Sequence, residues 1–235
     1  MKYRALAIDG PAGAGKSSVA KMLAKQLNYT YVDTGAMYRA ATLKALALKV
    51  DLDNPESFSF LDNTKMEFMH EVLYLDGKDV TIAIRSNSVS NNVSVVASHI
   101  PVRNRLVALQ QKIADKNHVV MDGRDIGTVV LPNADLKIFL TASVEERAKR
   151  RHAENVSLGI DSDLERLKKE IERRDQIDSS RSYNPLRVAK DAIFVDTSAM
   201  DLGEVTAMIY DLYKKKIDEK EEQPEWKTTN NPIKN

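Results

Sequence analysis

The chain has no cysteine in its 235 residues, which rules out disulfides and cysteine-ligated zinc. Aromatic residues make up only 6% of the sequence, with a single tryptophan, a composition that suits an α/β protein better than an all-β one. No apolar run approaches the ~18 residues that a membrane-spanning helix needs. Residues 3–9 enter at once on a strand-like pattern, with no charged-then-apolar signal segment ahead of them. The expectation is a cytoplasmic enzyme without a membrane partner. An excess of either charge is also missing, with 35 Lys and Arg against 34 Asp and Glu. That argues against a surface built wholly for nucleic acid, while leaving room for a local basic site. No apolar stripe stands out as an interface, so a monomer is expected. The length suits one full core with a small insertion.

What the chain does contain is an alternation of short β-like runs with longer amphipathic ones. Residues 3–9, 30–33, 118–122, 136–141 and 192–197 read as strands. Residues 16–27, 37–49, a run from Val144, 163–175 and 202–216 read as helices, with apolar residues such as Val19, Leu23 and Leu27 at helical spacing. Strand-then-helix order predicts a mainly parallel sheet covered on both faces. Two stretches break the rhythm. Residues 55–97 open with Asn54-Pro55, a helix-start signal. They continue with strand-like runs at 66–75 and 80–84 around the turn Asp76-Gly77. Residues 147–163 are rich in charge and carry Gly159, which fits a helical hairpin tip or a mobile lid. The last residues, 217–235, are polar and contain Pro224, Trp226 and Pro232, and read as a loose tail.

The strongest motif is Gly10-Pro11-Ala12-Gly13-Ala14-Gly15-Lys16-Ser17. It fits the phosphate-binding P-loop pattern and sits where that pattern requires, between a strand and a helix. Glycines let the backbone N–H groups curl toward phosphate oxygens, and the following helix adds its N-terminal dipole. Lys16 would bridge the β- and γ-phosphates and the Ser17 hydroxyl would sit on Mg²⁺. Ser18 completes the set of residues expected to hold ATP.

P-loop proteins include switches, motors and kinases. The guanine-reading signature of switches is absent. Arginines stand instead at likely strand ends: Arg39 after Asp33-Thr34-Gly35, Arg124 within Asp122-Gly123-Arg124-Asp125, and Arg174 and Arg181 around Asp178. Arg147, Arg150 and Arg151 begin the charge-rich stretch. A guanidinium fork meets phosphate oxygens two at a time, so an anionic acceptor is expected. A nucleoside monophosphate, largely a dianion at neutral pH with a second pKa of about 6, needs no general base. The isolated histidines His70, His99, His118 and His152 fit that absence.

From Leu6 to about Tyr213 the sequence resembles the bacterial cytidylate kinase family. The likeness rests on the P-loop, on Val32-Asp33-Thr34-Gly35-Ala36-Met37-Tyr38-Arg39, on Leu75-Asp76-Gly77-Lys78-Asp79-Val80 with Ile84-Arg85, Val93-Ser94, Val96-Ala97 and Pro101-Val102-Arg103. It rests further on Asp122-Gly123-Arg124-Asp125-Ile126-Gly127-Thr128-Val129-Val130, Arg147 with Arg150 and Arg151, and the Arg174–Arg181 motif. Two departures are visible, Ser18 where the family often has threonine and Ile177 in a variable slot.

The resemblance implies a P-loop NTPase fold with a five-stranded parallel sheet flanked by helices, a small inserted monophosphate-binding domain and a short lid. The core would span 1–54 and 98–216, the insertion 55–97, the lid 150–163 and the tail 217–235. The implied activity is transfer of the ATP γ-phosphoryl to CMP or dCMP with Mg²⁺. Ser94, Arg103 and Asp125 would read the cytosine edge. Thr34, Arg39, Asp122, Arg124 and Arg174 would hold the acceptor. Asp178 and Arg181 would lie near the sugar and the transferring phosphoryl, Arg150 would act from the lid, and Asp33 would hold magnesium-bound water. The rivals are a kinase that also takes UMP and a non-catalytic nucleotide-binding regulator.

Overall fold

The structure, a computed structural model, describes residues 3–69, 72–157, 159 and 161–222. The elements run β1 (Ala5–Asp9), α1 (Lys16–Leu27), β2 (Thr30–Asp33), α2 (Thr34–Leu48), β3 (Met66–Met69), β4 (Val72–Leu75), β5 (Lys78–Asp79), α3 (Asn87–Val96), α4 (Ile100–Ala114), β6 (Val119–Gly123), β7 (Leu136–Thr141), α5 (Val144–Ser157), α6 (Leu164–Ser180), β8 (Ile193–Asp196) and α7 (Leu202–Glu222). Strands β2-β6-β1-β7-β8 form the expected five-stranded sheet, and every pairing in it is parallel.

Alternation along the strands sends side chains to two cores, as in a sheet buried on both faces. Leu6 and Ile8 of β1 join Val120, Ile138 and Leu140 beneath α1 and α7. Ala7 faces the other way, with Met121 and Val32, against α2 and α4. The Asp33 carboxylate caps α2 by accepting the Ala36 N–H at 2.7 Å. Asn28 and Lys49 close α1 and α2 in the left-handed conformation.

Residues 55–97, expected as an insertion, share a core with the elements on either side of them. Phe58, Leu61, Leu73, Leu75 and Ile84 belong to one cluster with Met37, Tyr38, Val102 and Leu106. Residues 55–63 form a 3-10 segment capped by Asn54. The run at 66–75 is itself a pair, β3 against β4, and β5 follows the Asp76-Gly77 turn. Residues 80–84, expected as a strand, are not one. Asp79 accepts the Thr81 N–H, and the Ile84 N–H returns to the Val80 carbonyl. The chain therefore coils so that Val80 and Ile84 are buried together.

Helices α3 and α4 were not legible as such. The Ser- and Asn-rich run of α3 has weak helix propensity and is held by buried Val89, Val93 and Val96. Helix α6 runs past 175 and so carries Asp178 on a helix. Helix α7 takes in residues 217–222 of the expected tail. Lys220 bonds Asp135 and Glu221 bonds Arg4, which anchors that end. The rest of the tail, with Trp226, lies outside the described residues. Within the expected lid, residues 150–157 are the far end of α5 and Asp163 caps α6, while 158 and 160 lie outside the described residues. His152 and Asn155 both meet the Ser162 hydroxyl there. Among the described residues, no helix is long and apolar enough to cross a membrane.

Candidate active site

The P-loop curls between β1 and α1. Gly10 has φ +150°, and a Cβ there would lie 1.9 Å from the Leu140 carbonyl oxygen, so β7 admits no side chain. Gly15, at φ +86°, turns the chain into α1. Lys16 is buried, and its ammonium donates to the Pro11 carbonyl at 2.7 Å. Burial first, and then the Arg124 charge, push its pKa down. The Ser17 hydroxyl donates to Asp122 Oδ2 at 3.0 Å. Asp9, which ends β1, accepts the Ile126 and Gly127 N–H groups, both at 2.7 Å. It thereby fixes the turn after β6 that carries Arg124 and Asp125. Burial pushes the Asp9 carboxyl up to about 6 even against those two bonds.

A cleft opens past the carboxyl ends of β2 and β6, the end of the sheet where α/β ligands sit. Thr34, Ser94, Arg103, Arg124, Asp125, Arg174, Asp178 and Arg181 all line it. They come from α2, α3, α4, the end of β6 and α6, so the fold gathers what the sequence scatters. Arg103 forms a buried ion pair with Asp125 and donates to the Ala97 carbonyl at 3.0 Å. Asp178 accepts from Arg124 Nε at 2.9 Å, with Arg181 at 3.8 Å and Arg174 at 4.0 Å. Burial alone would raise the Asp178 pKa, but Arg124, Arg174 and Arg181 outweigh it and hold the carboxyl below its ordinary value. Desolvation first, and then Arg124, lower the pKa of Arg174.

Cations thus exceed anions around the cleft, and their hydrogen bonds are incomplete. The Nε groups of Arg103, Arg174 and Arg181 in the cleft, and of Arg39 near it, are buried and have no hydrogen-bond partner among the described residues. An unpaired buried donor costs about 1–3 kcal/mol. Several at one cleft mark the place of an anion or of ring acceptors.

Some residues lie differently from expectation. Asp122 meets the P-loop Ser17 and does not line the cleft. Asp33 spends its carboxylate on the α2 cap and on Arg39, 3.1 Å away. Arg150 donates to the hydroxyl and carbonyl of Thr197 at 3.1 and 2.7 Å. Arg147 is the residue clasping the P-loop, with a bond to the Ala12 carbonyl at 3.0 Å and an ion pair to Asp175 at 2.6 Å. His99, His118 and His152 have structural partners, Leu52, Arg4 and Ser162; His70 lies outside the described residues.

No pattern along the chain gives a role to Asp9, Tyr31, Tyr38 or Asp175, yet all four side chains meet site residues. Tyr38 lines the cleft with its ring 5.3 Å from the Arg103 guanidinium. Its only signal is its place in the run before Arg39. Asp9 could have been suspected from a carboxylate at a strand end immediately before the P-loop.

Residues 6–215 match the family model described as cytidylate kinase. A curated cytidylate kinase of Geobacillus sp. (strain WCH70) is 56% identical over 217 residues, 90% of this chain and 97% of that protein. One from Bacillus thuringiensis (strain Al Hakam) is 52% identical over 213 residues, 88% of this chain and 95% of that protein. Among solved structures, an uncharacterized protein from Eubacterium ventriosum ATCC 27560 aligns with a TM-score of 0.51 at 15% identity, covering 90% of this chain and 98% of that one. That last likeness concerns the fold alone. On the extent of the family match and the identity to its curated members, the chain belongs to the cytidylate kinase family.

Proposed function

We propose that the protein transfers the γ-phosphoryl group of ATP to CMP or dCMP, giving ADP and CDP or dCDP. The observation that carries this reading is the buried Arg103–Asp125 pair, set beside Ser94 in a cleft ringed by arginines with unpaired N–H groups. Cytosine offers an N4 amino donor next to the N3 and O2 acceptors. Asp125 and Ser94 can accept from the amino group, and Arg103 can donate to the ring. Uracil puts an oxygen where the amino group stands, opposite a carboxylate that can only accept.

Catalysis in this site is positioning and charge neutralisation. Thr34, Arg39, Arg124, Arg174 and Arg181 hold the acceptor's phosphate and sugar. An oxygen of that phosphate attacks the γ-phosphorus, the bond to the β–γ bridging oxygen breaks, and that oxygen leaves on ADP. Lys16 neutralises charge growing on the bridge. Asp178 keeps its arginines apart and aimed. The Ser17 hydroxyl and the Asp122 carboxylate, 3.0 Å apart, are hard oxygens of the kind Mg²⁺ takes from a protein while phosphates and water complete its shell. When bound there, magnesium offsets charge on the β- and γ-phosphate oxygens. Asp122 rather than Asp33 is taken as the carboxylate of that site, because Asp122 is the one that meets the P-loop Ser17, while Asp33 caps α2 and pairs with Arg39.

The same reading makes this a cytoplasmic enzyme of pyrimidine nucleotide supply, acting as a monomer on small molecules without a nucleic-acid partner. Coupled ADP release with CMP, dCMP, UMP, AMP and GMP tests it. Turnover on CMP or dCMP at least ~10-fold above UMP is expected. Equal turnover on UMP would replace it with a broader pyrimidine kinase. No release above the ATP background would overturn it.

A further inference from the structure

Tyr31 lies outside every recognised motif, yet its side chain reaches the donor-phosphate machinery. It is on β2, in parallel register with Val120 of β6. Its ring is 4% exposed and packs in the core under α1, with the Lys21 ammonium 5.7 Å from the ring centre. The hydroxyl donates to Asp122 Oδ1 at 2.8 Å, while Asp122 Oδ2 takes the Ser17 hydroxyl at 3.0 Å. The two oxygens of one buried carboxylate are thus engaged from two elements, β2 and α1, which fixes the plane of the group. Packing alone does not call for that hydroxyl, because a phenylalanine ring would fill the same space.

We infer that Tyr31 is a positioning residue that orients Asp122 toward the magnesium of bound ATP. The inference rests on the proposed reading of Ser17 and Asp122 as the magnesium side of the site. Outer groups that hold a metal-binding carboxylate typically carry 10–100-fold in metal affinity. Tyr31→Phe therefore costs about tenfold of whatever tightening magnesium confers on ATP. It leaves ATP binding without magnesium, and CMP binding, as in wild type. Asp122→Asn removes the same tightening, and Tyr31→Phe added to it does nothing more, because the hydroxyl acts through that carboxylate.

Isothermal titration of ATP with magnesium and with EDTA, and of CMP separately, measures each of these on wild type, both single variants and the double variant. Tyr31→Leu, which removes the ring as well as the hydroxyl and leaves some core space, is carried in parallel; it is expected to show the same loss of magnesium tightening together with a lower melting temperature, which Tyr31→Phe is not. A Tyr31→Phe protein that keeps the full magnesium effect overturns the inference. So does one that loses ATP and CMP affinity alike, as a general packing defect would, or one whose loss persists unchanged on Asp122→Asn. If wild type itself shows no tightening by magnesium, the magnesium reading of Ser17 and Asp122 falls, and this inference with it.

Discussion

The two halves of the site differ in how their cations are occupied. On the P-loop side, Lys16, Arg147 and Arg150 already donate to carbonyls of Pro11, Ala12, Ala142 and Thr197. On the acceptor side, Arg39, Arg103, Arg174 and Arg181 each keep a buried Nε without a hydrogen-bond partner among the described residues. The side-chain cations of the P-loop half are therefore paired internally, and in the proposed reading Lys16 must leave the Pro11 carbonyl to meet a phosphate. The acceptor half holds unmet hydrogen-bonding capacity, and a ligand adds bonds without breaking any of those donors' own. The difference teaches where binding energy is stored: as interchangeable contacts on one side, and as unsatisfied donors on the other.

The largest effect expected is at Lys16. Lys16→Ala removes a preorganised charge that acts in the transition state, and kcat falls by ~100-fold or more, measured by coupled ADP release. Near-normal turnover in a folded variant would contradict the phosphate assignment. On the acceptor side, Arg174→Met should raise the KM for CMP by ~10–100-fold, the scale of charge-assisted bonds, with the KM for ATP little changed. The same substitution should raise the melting temperature of the ligand-free protein, because it removes a desolvated cation crowded by Arg124. A variant that is less stable and binds CMP normally would break the comparison.

Asp9 joins the two halves, since it ends the strand before the P-loop and holds the turn bearing Arg124 and Asp125. Asp9→Asn keeps one acceptor and places a donor against the other N–H, costing about 1–3 kcal/mol of stability. The pH dependence has a definite sign. The folded pKa, about 6, lies above the ordinary value of 3.8. Within that window the folded protein holds a proton that the unfolded chain has released. Rising pH through the window therefore removes stability contributed by Asp9, and above it the contribution is flat. Urea unfolding of wild type and Asp9→Asn from pH 4.5 to 7.5 should show the wild-type advantage shrinking toward pH 6. An advantage that grows instead would mean that the N–H bonds, not burial, dominate.

The smallest effect concerns the exposed contact in which Arg85 meets Glu154 of α5 at 3.3 Å. Both side chains are about half exposed, so screening leaves little. Arg85→Ala should change unfolding free energy by no more than ~0.5 kcal/mol, and a loss well beyond that would show the insertion and the hairpin to be strongly latched.

Much of this was legible in the sequence because the P-loop, the strand-helix rhythm and the arginines are local patterns. The parallel sheet and the cleft residues Ser94, Arg103, Arg124, Asp125, Asp178 and Arg181 followed from them and from family likeness. What was not legible depends on side chains meeting across the fold. Asp33 and Asp122 both end strands beside the site, and nothing along the chain says that one caps α2 while the other faces Ser17. Arg147 and Arg150 are three residues apart on one helix, and only packing against Ala12 and Thr197 separates their partners. Helix α3 was hidden by Ser and Asn residues whose local preferences are overridden by three buried valines.

The central claim is that the acceptor half reads cytosine through Asp125, and kcat/KM for CMP and UMP on wild type and Asp125→Asn tests it most directly. The structure sharpens the alternative, because Asp125 pairs with Arg103 and not with Arg124. If Asp125 accepts from the cytosine amino group, the amide lowers kcat/KM for CMP and narrows the CMP/UMP ratio, which in wild type stands at ~10–100. If Asp125 only braces Arg103, both substrates suffer equally, and an unchanged ratio contradicts the account.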